Sequence, residues 1–595
     1  MRADEANIES RPGRRAPIHP AMTVRQVAAD YPACGAVFRR HGEPERSSAK
    51  FGHLEPLDHF ARRHGISLDM LLTELSQAAG VEISRADPSA GRAHRPFVAA
   101  ALVVTLSLGA GWGTLLLFEI GRQGSLASIP AAQVVAHGEA QLWGFVVPFV
   151  VGVAVSFLPR TTACPHPHRA LLDLLLGALL AGVLGEFAWS LATRRWPWLG
   201  PASGFAQVVA ALGFLAVTAQ QLAGKVRAPW ARFVLAAAAW MIVWAVVDLA
   251  LRGRAGPAGP GAYSESGRRL VVELALFGFA LNAVYGFGQR LLPGMLGGGA
   301  PRSGAIEAAF GLHNTGVLAL AVSHVQWPSL CATLGASAIA AGAVAWAIGL
   351  RGFRSQRRST PRPEAGLAFL VRYIQLAFFW LLAGLALLVA GQLIGAVQGI
   401  DPPRAYLGAT RHALTVGFLT TLILGVGQRL LPILSHDLLA WPRLVVPIFV
   451  LIAAGNALRV AAELATLAWP IAFRILPASA ILELTALVLF AANIFRTLWP
   501  RSDPLLRTGR ATPATRVAVL LAEHPWLEDY LVAWGLRYIG RVRSVPAELT
   551  LGSLAAGEGF DPEATVARIN VLLSGNAGRG QRPGTPGLPG PPAEG

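Results

Sequence analysis

Hydrophobic and polar positions divide the chain into three zones. Residues 1–95 mix charged, polar and short apolar stretches, with no continuous apolar run before Pro96. From Pro96 to Trp499, apolar runs of about 18–30 residues follow one another, each long enough to cross a hydrocarbon core about 30 Å thick. Residues 500–595 are polar again and end in GNAGRGQRPGTPGLPGPPAEG. The apolar zone predicts twelve spans, near 97–120, 131–158, 169–193, 201–222, 230–252, 269–292, 305–324, 329–350, 367–398, 408–431, 443–466 and 471–498. The fold class is therefore all-α, a polytopic membrane protein. Its expected domains are a small helical soluble domain at 1–95, a twelve-helix membrane domain at 96–499, a second small helical domain at 500–574, and a disordered Gly/Pro-rich tail at 575–595.

One spacing recurs inside the membrane zone. The second span has Gly144-Phe145, Gly152 and Leu158-Pro159; the sixth has Gly278-Phe279, Gly286 and Leu292-Pro293; the tenth has Gly417-Phe418, Gly425 and Leu431-Pro432. The sixth and tenth both end in GQRLLP. Glycines eight apart lie near one helix face and permit close approach of a neighbouring backbone, and the proline is expected to end each span. Matching spans at positions two, six and ten imply three units of four helices. The end zones also share a spacing. Tyr31-Pro32, His41-Gly42 and Gly65-Ile66 answer to His524-Pro525, Trp534-Gly535 and Gly559-Phe560, so the second end domain reads as a possible duplicate of the first.

Composition agrees with the membrane reading. Hydrophobic residues make up 53% of the chain and charged residues only 14%, where a soluble protein carries about a quarter charged. The net charge of +17 is nearly all arginine. These arginines flank apolar runs, so they are taken as orientation signals that meet the lipid bilayer and its anionic headgroups, and no nucleic-acid partner is expected. Arg351, Arg354, Arg357, Arg358 and Arg362, with Arg92, Arg95, Arg501, Arg507 and Arg510, would share one side with both chain ends. The positive-inside rule makes that side the cytoplasm. Arg252, Arg254, Arg268 and Arg269 stand in the opposite loop. Cys34, Cys164 and Cys331 suggest no pair, and no cleavable leader is expected before the first span.

An ionisable group inside a span is costly and marks a candidate site. His137 lies near the start of the second span and His412 near the start of the tenth, at similar depth. Two neutral imidazoles on different helices suit axial ligation of one haem iron; the alternative is that each is a hydrogen-bonding link to a neighbouring helix. Glu139 and Glu273 fall five residues before Gly144 and Gly278, the place His412 takes before Gly417. These groups could bind a metal, relay protons or pair with arginine, and His313 in the seventh span is a further possible metal ligand. Cys164, His166 and His168 in C-P-H-P-H could form a metal grip after the second span. Arg160, Arg290 and Arg429 near the Leu-Pro ends read as headgroup anchors.

The segments HGEAQLWGFVVPFVVGVAVSFLPR and RHALTVGFLTTLILGVGQRLLP resemble the second-span and tenth-span histidine segments of subunit I of haem-copper oxidases, and the tenth-span segment is most similar to that of the NnrS family. The resemblance covers about residues 97–498 and implies that His137 and His412 are the axial ligands of one haem b, in a protein of the nitric oxide response. Departures from the pattern matter equally. Glu139 stands where NnrS-type proteins usually carry a second histidine, Thr410 where the oxidases ligate a second haem, and Glu273 where they ligate copper. The seventh span offers only His313-Asn314, so a three-imidazole copper site is not expected, and the chain leans away from catalysis. The stretch from MTVRQVAADYPACGAVFRRHGE to DHFARRHGISLDMLLTEL resembles the front domain of ScdA/Ric-type iron–sulfur repair proteins, without the paired cysteines that follow F-x-x-H-G there. That suggests a domain that docks a redox or regulatory partner. The leading expectation is a haem-b membrane protein that senses nitric oxide or passes electrons, in an inner (plasma) membrane. The alternatives are a nitric oxide or oxygen reductase whose metal uses Glu139, Glu273 and His313, and a haem-free transporter.

Overall fold

The computed structural model describes residues 22–41, 66, 68–81, 92–162, 164, 166–296, 301–350, 369–435, 439–499, 510–524, 526–541, 545 and 549–576, together with Ile18, Leu57, Phe60 and Ala61. The arginines between 351 and 362, Arg501, Arg507 and the tail beyond 576 lie outside these residues. Two compact units result. One holds Pro88–Leu498, and the other draws on Met1–Glu45, Glu55–Asp87 and Trp499–Gly595.

The membrane unit contains twelve helices long and apolar enough to span a bilayer: His94–Gln123, Ala131–Thr162, Arg169–Leu191, Leu199–Leu222, Pro229–Ala258, Glu265–Pro293, Ser303–Val322, Pro328–Gly349, Leu370–Gln398, Arg404–Ser435, Pro442–Ala465 and Pro470–Leu498. Each falls on a predicted span and most run a few residues past it, because polar residues also form the terminal helical turns. Ser264, for example, caps the sixth by accepting a hydrogen bond from the Gly267 amide. Helix, not apolarity, sets the true end.

The second, sixth and tenth spans are the inner ones. Of their most apolar windows 94%, 78% and 78% is buried, against 33–44% in the other nine. A helix sheathed on all sides by its neighbours can be apolar all round, whereas the outer ones offer one face to lipid. The repeated glycines make the inner packing possible. Gly144 and Gly152 face Val104 and Phe97 of the first span, Gly278 and Gly286 face Trp240 and Val234 of the fifth, and Gly417 and Gly425 face Trp380 and Tyr373 of the ninth. In every unit the second helix presses both glycines against the first.

Each inner helix also widens into a π-helical stretch around its Gly-Phe pair, at Leu142–Val146, Leu274–Leu281 and Ala413–Thr420. A wider turn frees backbone carbonyls, which must find other donors in a dry interior. The residue four after the first repeat glycine supplies a side-chain donor in the second and third units and is a proline in the first. It is Pro148, which has no amide to give; Asn282, whose amide donates to the Gly278 carbonyl at 2.8 Å; and Thr421, whose hydroxyl donates to the Val416 carbonyl at 3.0 Å. The Leu-Pro prolines do not end the helices as expected. Pro159, Pro293 and Pro432 lie inside them, and helix continues to Thr162, Leu296 and Ser435. One further turn is tolerated because the side chains there keep packing: Leu434 and Ser435 are buried.

In the other unit, each end zone has a small core of its own. Val27, Cys34, Phe38, Phe60 and Leu75 centre the first, and Val517, Leu527, Leu531, Leu551 and Ile569 the second. Local geometry repeats between them. Helices Val24–Asp30 and Val517–Glu523 are followed by Tyr31 (φ −133°, ψ 81°) and His524 (φ −135°, ψ 70°). The amide of Leu57 donates to the Met22 carbonyl as that of Leu551 donates to Thr515.

Candidate functional site

Span one opens the space that the second-span histidine fills. Its π-helical stretch Thr105–Gly109 leads into the glycine-rich segment LGAGWG (108–113), and Gly109 adopts ψ −106°, outside the helical range. A Cβ at Gly113 would stand 2.4 Å from His137 Cε1, so only glycine leaves room for the ring. His137 Nδ1 then donates to the Gly109 carbonyl at 3.0 Å. A carbonyl can only accept, so this bond fixes the proton on Nδ1 and leaves Nε2 with its lone pair.

His412 is set in the same way. Its Nδ1 donates to the Gly408 carbonyl at 2.9 Å and lies 3.2 Å from Glu463 Oε2 of the eleventh span. Glu463 is held in turn by Arg459, one turn earlier, at 3.0 Å. Among the described residues neither Nε2 of the pair makes a hydrogen bond. His137 lies within electrostatic reach of both His412 and Arg459. Toward His412, and beside Gly417 five residues further along the tenth span, several buried polar atoms have no hydrogen-bond partner among the described residues. They are Arg459 Nε and Nη1, Glu483 Oε1, both amide atoms of Asn456, and Trp380 Nε1. Unsatisfied donors and acceptors at this density are rare in a finished interior.

The three residues expected to share a metal meet different partners. Glu139 accepts from Arg252 Nη2 at 3.3 Å. Glu273 pairs with His324, at the end of the seventh span, at 2.7 Å. His313 is fully buried and donates from Nε2 to the Phe277 carbonyl, in the π-helical stretch of the sixth span, at 2.8 Å. Among the described residues no group of three or more His, Cys, Asp or Glu is arranged to hold a metal ion. The C-P-H-P-H side chains are engaged elsewhere too: Cys164 lies 3.7 Å from the Gln221 carbonyl, and His168 Nδ1 accepts from the Ala170 amide. Thr410, in the place of a second tenth-span histidine, bonds its own helix at Tyr406.

Arg252 corrects the sequence reading most. Expected in a loop among other arginines, it lies inside a helix that runs to Ala255, has no exposed surface, and gathers Asp248, Glu186 and Glu139. Arg160, expected at the headgroups, donates to the Leu434 carbonyl at 2.9 Å, and Arg290 lies over the Trp230 ring. Sequence reasoning missed Glu186, Asp248, Arg459, Glu463 and Glu483. A signal was available: all are ionisable residues inside predicted spans, the rule that singled out Glu139.

Fold and site together define a class, a multi-pass helical membrane protein of three four-helix repeats, two of whose inner helices carry imidazoles within electrostatic reach of each other. The family model for NnrS protein matches residues 89–501, more than two thirds of the sequence, and the chain belongs to that family. No curated protein matches it.

Proposed function

We propose that this chain is a haem-binding membrane protein, with His137 and His412 as the two axial ligands of one haem b, acting in the response to nitric oxide or in electron transfer. The observation that carries the reading is the state of the two rings. Each gives its Nδ1 proton to a backbone carbonyl and keeps Nε2 free, which is how metal-binding histidines are oriented and tuned by their surroundings. Haem b held by two imidazoles supplies one-electron redox chemistry.

The chain's own residues do the rest. Glu463 and the Gly408 carbonyl hold the His412 ring in one orientation, and the Gly109 carbonyl does so for His137. Gly113 keeps the volume beside His137 open. Arg459, with two uncommitted nitrogens, is the cation available to a negatively charged substituent of the bound group. Glu139, Glu273 and His313 are committed to Arg252, His324 and Phe277, so copper has no part in the proposal. In this reading the protein lies in a bacterial-type inner membrane with both ends cytoplasmic, where the end zones would dock a redox or regulatory partner.

An absorption spectrum of the purified full chain, expressed with ample haem, tests this. Sharp paired bands on reduction are expected, lost in His137→Ala and in His412→Ala but kept in His324→Ala. A wild-type protein that purifies folded without haem overturns the reading and leaves the transporter. Steady consumption of nitric oxide or oxygen with a reductant would turn it toward a reductase.

A further inference from the structure

Where the sixth span starts and the seventh ends, three side chains stand in the order that activates a serine. His324 Nε2 lies 2.7 Å from Glu273 Oε2, and His324 Nδ1 lies 3.1 Å from the Ser266 hydroxyl. A carboxylate can only accept, so Glu273 holds the proton of the neutral imidazole on Nε2. Nδ1 is then left with its lone pair toward Ser266, whose hydroxyl donates. A nucleophile, a base, and a group that orients the base are the parts of a serine acyl-transfer site. In chymotrypsin-like proteases the ring is turned the other way, with Nε2 toward the serine, but such a site is defined by geometry and roles. Exposure is graded along the row. Ser266 is exposed, while the side chains of His324 and Glu273 are only 12% and 16% exposed.

The backbone around the row adds to it from both sides. Ser266 stands in the first turn of the helix that Ser264 caps. The Gly267 amide donates to the Ser264 hydroxyl and the Arg268 amide to the Ser264 carbonyl, whereas the amides of Glu265 and Ser266 make no hydrogen bond among the described residues. Uncommitted amides at a helix N-terminus suit an oxygen on which negative charge develops. Glu265, next in sequence, is paired with Arg268 at 2.6 Å and Arg269 at 3.3 Å. Three residues after His324, Trp327 has φ 45° and ψ 58°, the left-handed backbone that bulky residues avoid. Strain of this kind collects at working sites. Trp327 and Val325 are both largely exposed, so the turn that carries the base also presents apolar surface at the end of a span.

We propose that Ser266, His324 and Glu273 form an acyl-transfer site that hydrolyses carboxylic esters with an apolar chain. Ser266 is the nucleophile, His324 the general base, and Glu273 the positioning residue. Ser266 Oγ bonds to the ester carbonyl carbon as its proton passes to His324 Nδ1. The bond from that carbon to the alcohol oxygen then breaks, and the proton leaves with the alcohol. Water, giving its proton to the same nitrogen, releases the acid and restores the serine. No step uses the imidazole pair, so the inference is independent of haem.

Labelling of the purified full chain with an alkyl fluorophosphonate, whose fluoride Oγ displaces, tests this when the modified residue is mapped by mass spectrometry. Wild type should be labelled at Ser266, and Ser266→Ala should not. His324→Gln should slow labelling about 100-fold or more. Glu273→Gln should lower the limiting rate by at least about 10-fold while leaving the half-saturating probe concentration unchanged, which local misfolding would not do. Wild type should also hydrolyse p-nitrophenyl butyrate with an initial burst equal to the chain concentration. If a variant fails to fold by circular dichroism, the wild-type labelling still decides. A folded wild-type chain that stays unlabelled at Ser266 overturns the proposal. So does labelling of folded His324→Gln at the wild-type rate, which would make Ser266 an ordinary surface hydroxyl.

Discussion

Replacing Gly286 or Gly425 by alanine should force an inner helix away from the outer helix it packs on. At 425 the added methyl carbon would stand 2.4 Å from Tyr373 Cβ and 3.0 Å from its Cγ. At 286 it would stand 2.6 Å from Val234 Cγ2 and 3.0 Å from both the Trp230 carbonyl oxygen and the Val234 amide nitrogen. Carbon atoms rest at about 3.5–4.0 Å, so each pair of helices must separate by about 1 Å. Neither neighbour can swing aside: Val234 presents backbone, and the Tyr373 hydroxyl is tied to the Val445 carbonyl at 2.6 Å. Overpacking of this kind costs about 1–3 kcal/mol. The same substitution at Gly177 or Gly311, where an added Cβ meets nothing within 4 Å, brings the helix-propensity gain alone. Because that gain is common to all four sites, it cancels in the comparison. Unfolding of each variant in mixed detergent, followed by circular dichroism, should place the first pair about 1–3 kcal/mol below the second. If Gly286→Ala and Gly425→Ala unfold where Gly177→Ala and Gly311→Ala do, the repeat glycines are not packing contacts and do not hold the inner helices in place.

Three more outcomes follow from the geometry. Arg252→Gln leaves Asp248, Glu186 and Glu139 buried without their shared cation and should cost about 3 kcal/mol in the same unfolding assay; an effect below about 0.5 kcal/mol, the size expected of a surface change, would mean the cluster is hydrated. Glu463→Gln removes the carboxylate that orients His412, and should weaken haem retention about 10–100-fold while leaving the helices intact, read by haem transfer to an apo-globin. Burial pushes the Cys34 thiol up from its ordinary range. It therefore stays protonated in the folded zone at a pH where the unfolded chain has ionised. Its contribution to stability is full below the ordinary thiol range and is lost as pH rises from there through the raised folded value. Alkylation of Cys34 in the full chain should be much slower than that of a surface cysteine at neutral pH and accelerate at alkaline pH, and labelling at the surface rate throughout would contradict the burial.

What the sequence made legible is what a one-dimensional pattern can carry. Hydropathy located all twelve spans, and the glycine spacing marked out spans two, six and ten, which the fold places innermost, since both are properties of runs along the chain. Arg252 was misread because it stands where an apolar run gives way to Arg254 and Gly256, and hydropathy cannot tell a helix that continues from one that stops. Its partners Glu139 and Glu186 come from two other spans, and no spacing rule joins them. Arg459 and Glu463 were within reach, being one helical turn apart inside the eleventh span. The partner of His313 was not, because Phe277 offers a free carbonyl only where the sixth span widens, and no residue type announces a wide turn.

The position five before the first repeat glycine gathers these observations into one rule. Glu139, Glu273 and His412 occupy it, and each points toward ionisable groups on the next helix of its own unit or at that helix's end. Glu139 and Glu186 meet through Arg252, Glu273 meets His324, and His412 meets Glu463. The scaffold thus reserves one polar contact per unit, just ahead of the widened turn, and the units differ in what they place there. In the third unit it is an imidazole. In the first it is a carboxylate, and the imidazole comes two residues earlier, at His137. Residues two apart on a helix point about 200° apart, to opposite faces. His137 therefore turns to Gly109 and Gly113 of the first span, while Glu139 turns to the third, fourth and fifth. That offset lets one helix serve two sites at once, the imidazole pair on one face and the carboxylate cluster on the other. It also sets a limit on exchange between them: moving the histidine to 139 would place it against Arg252 and lose both.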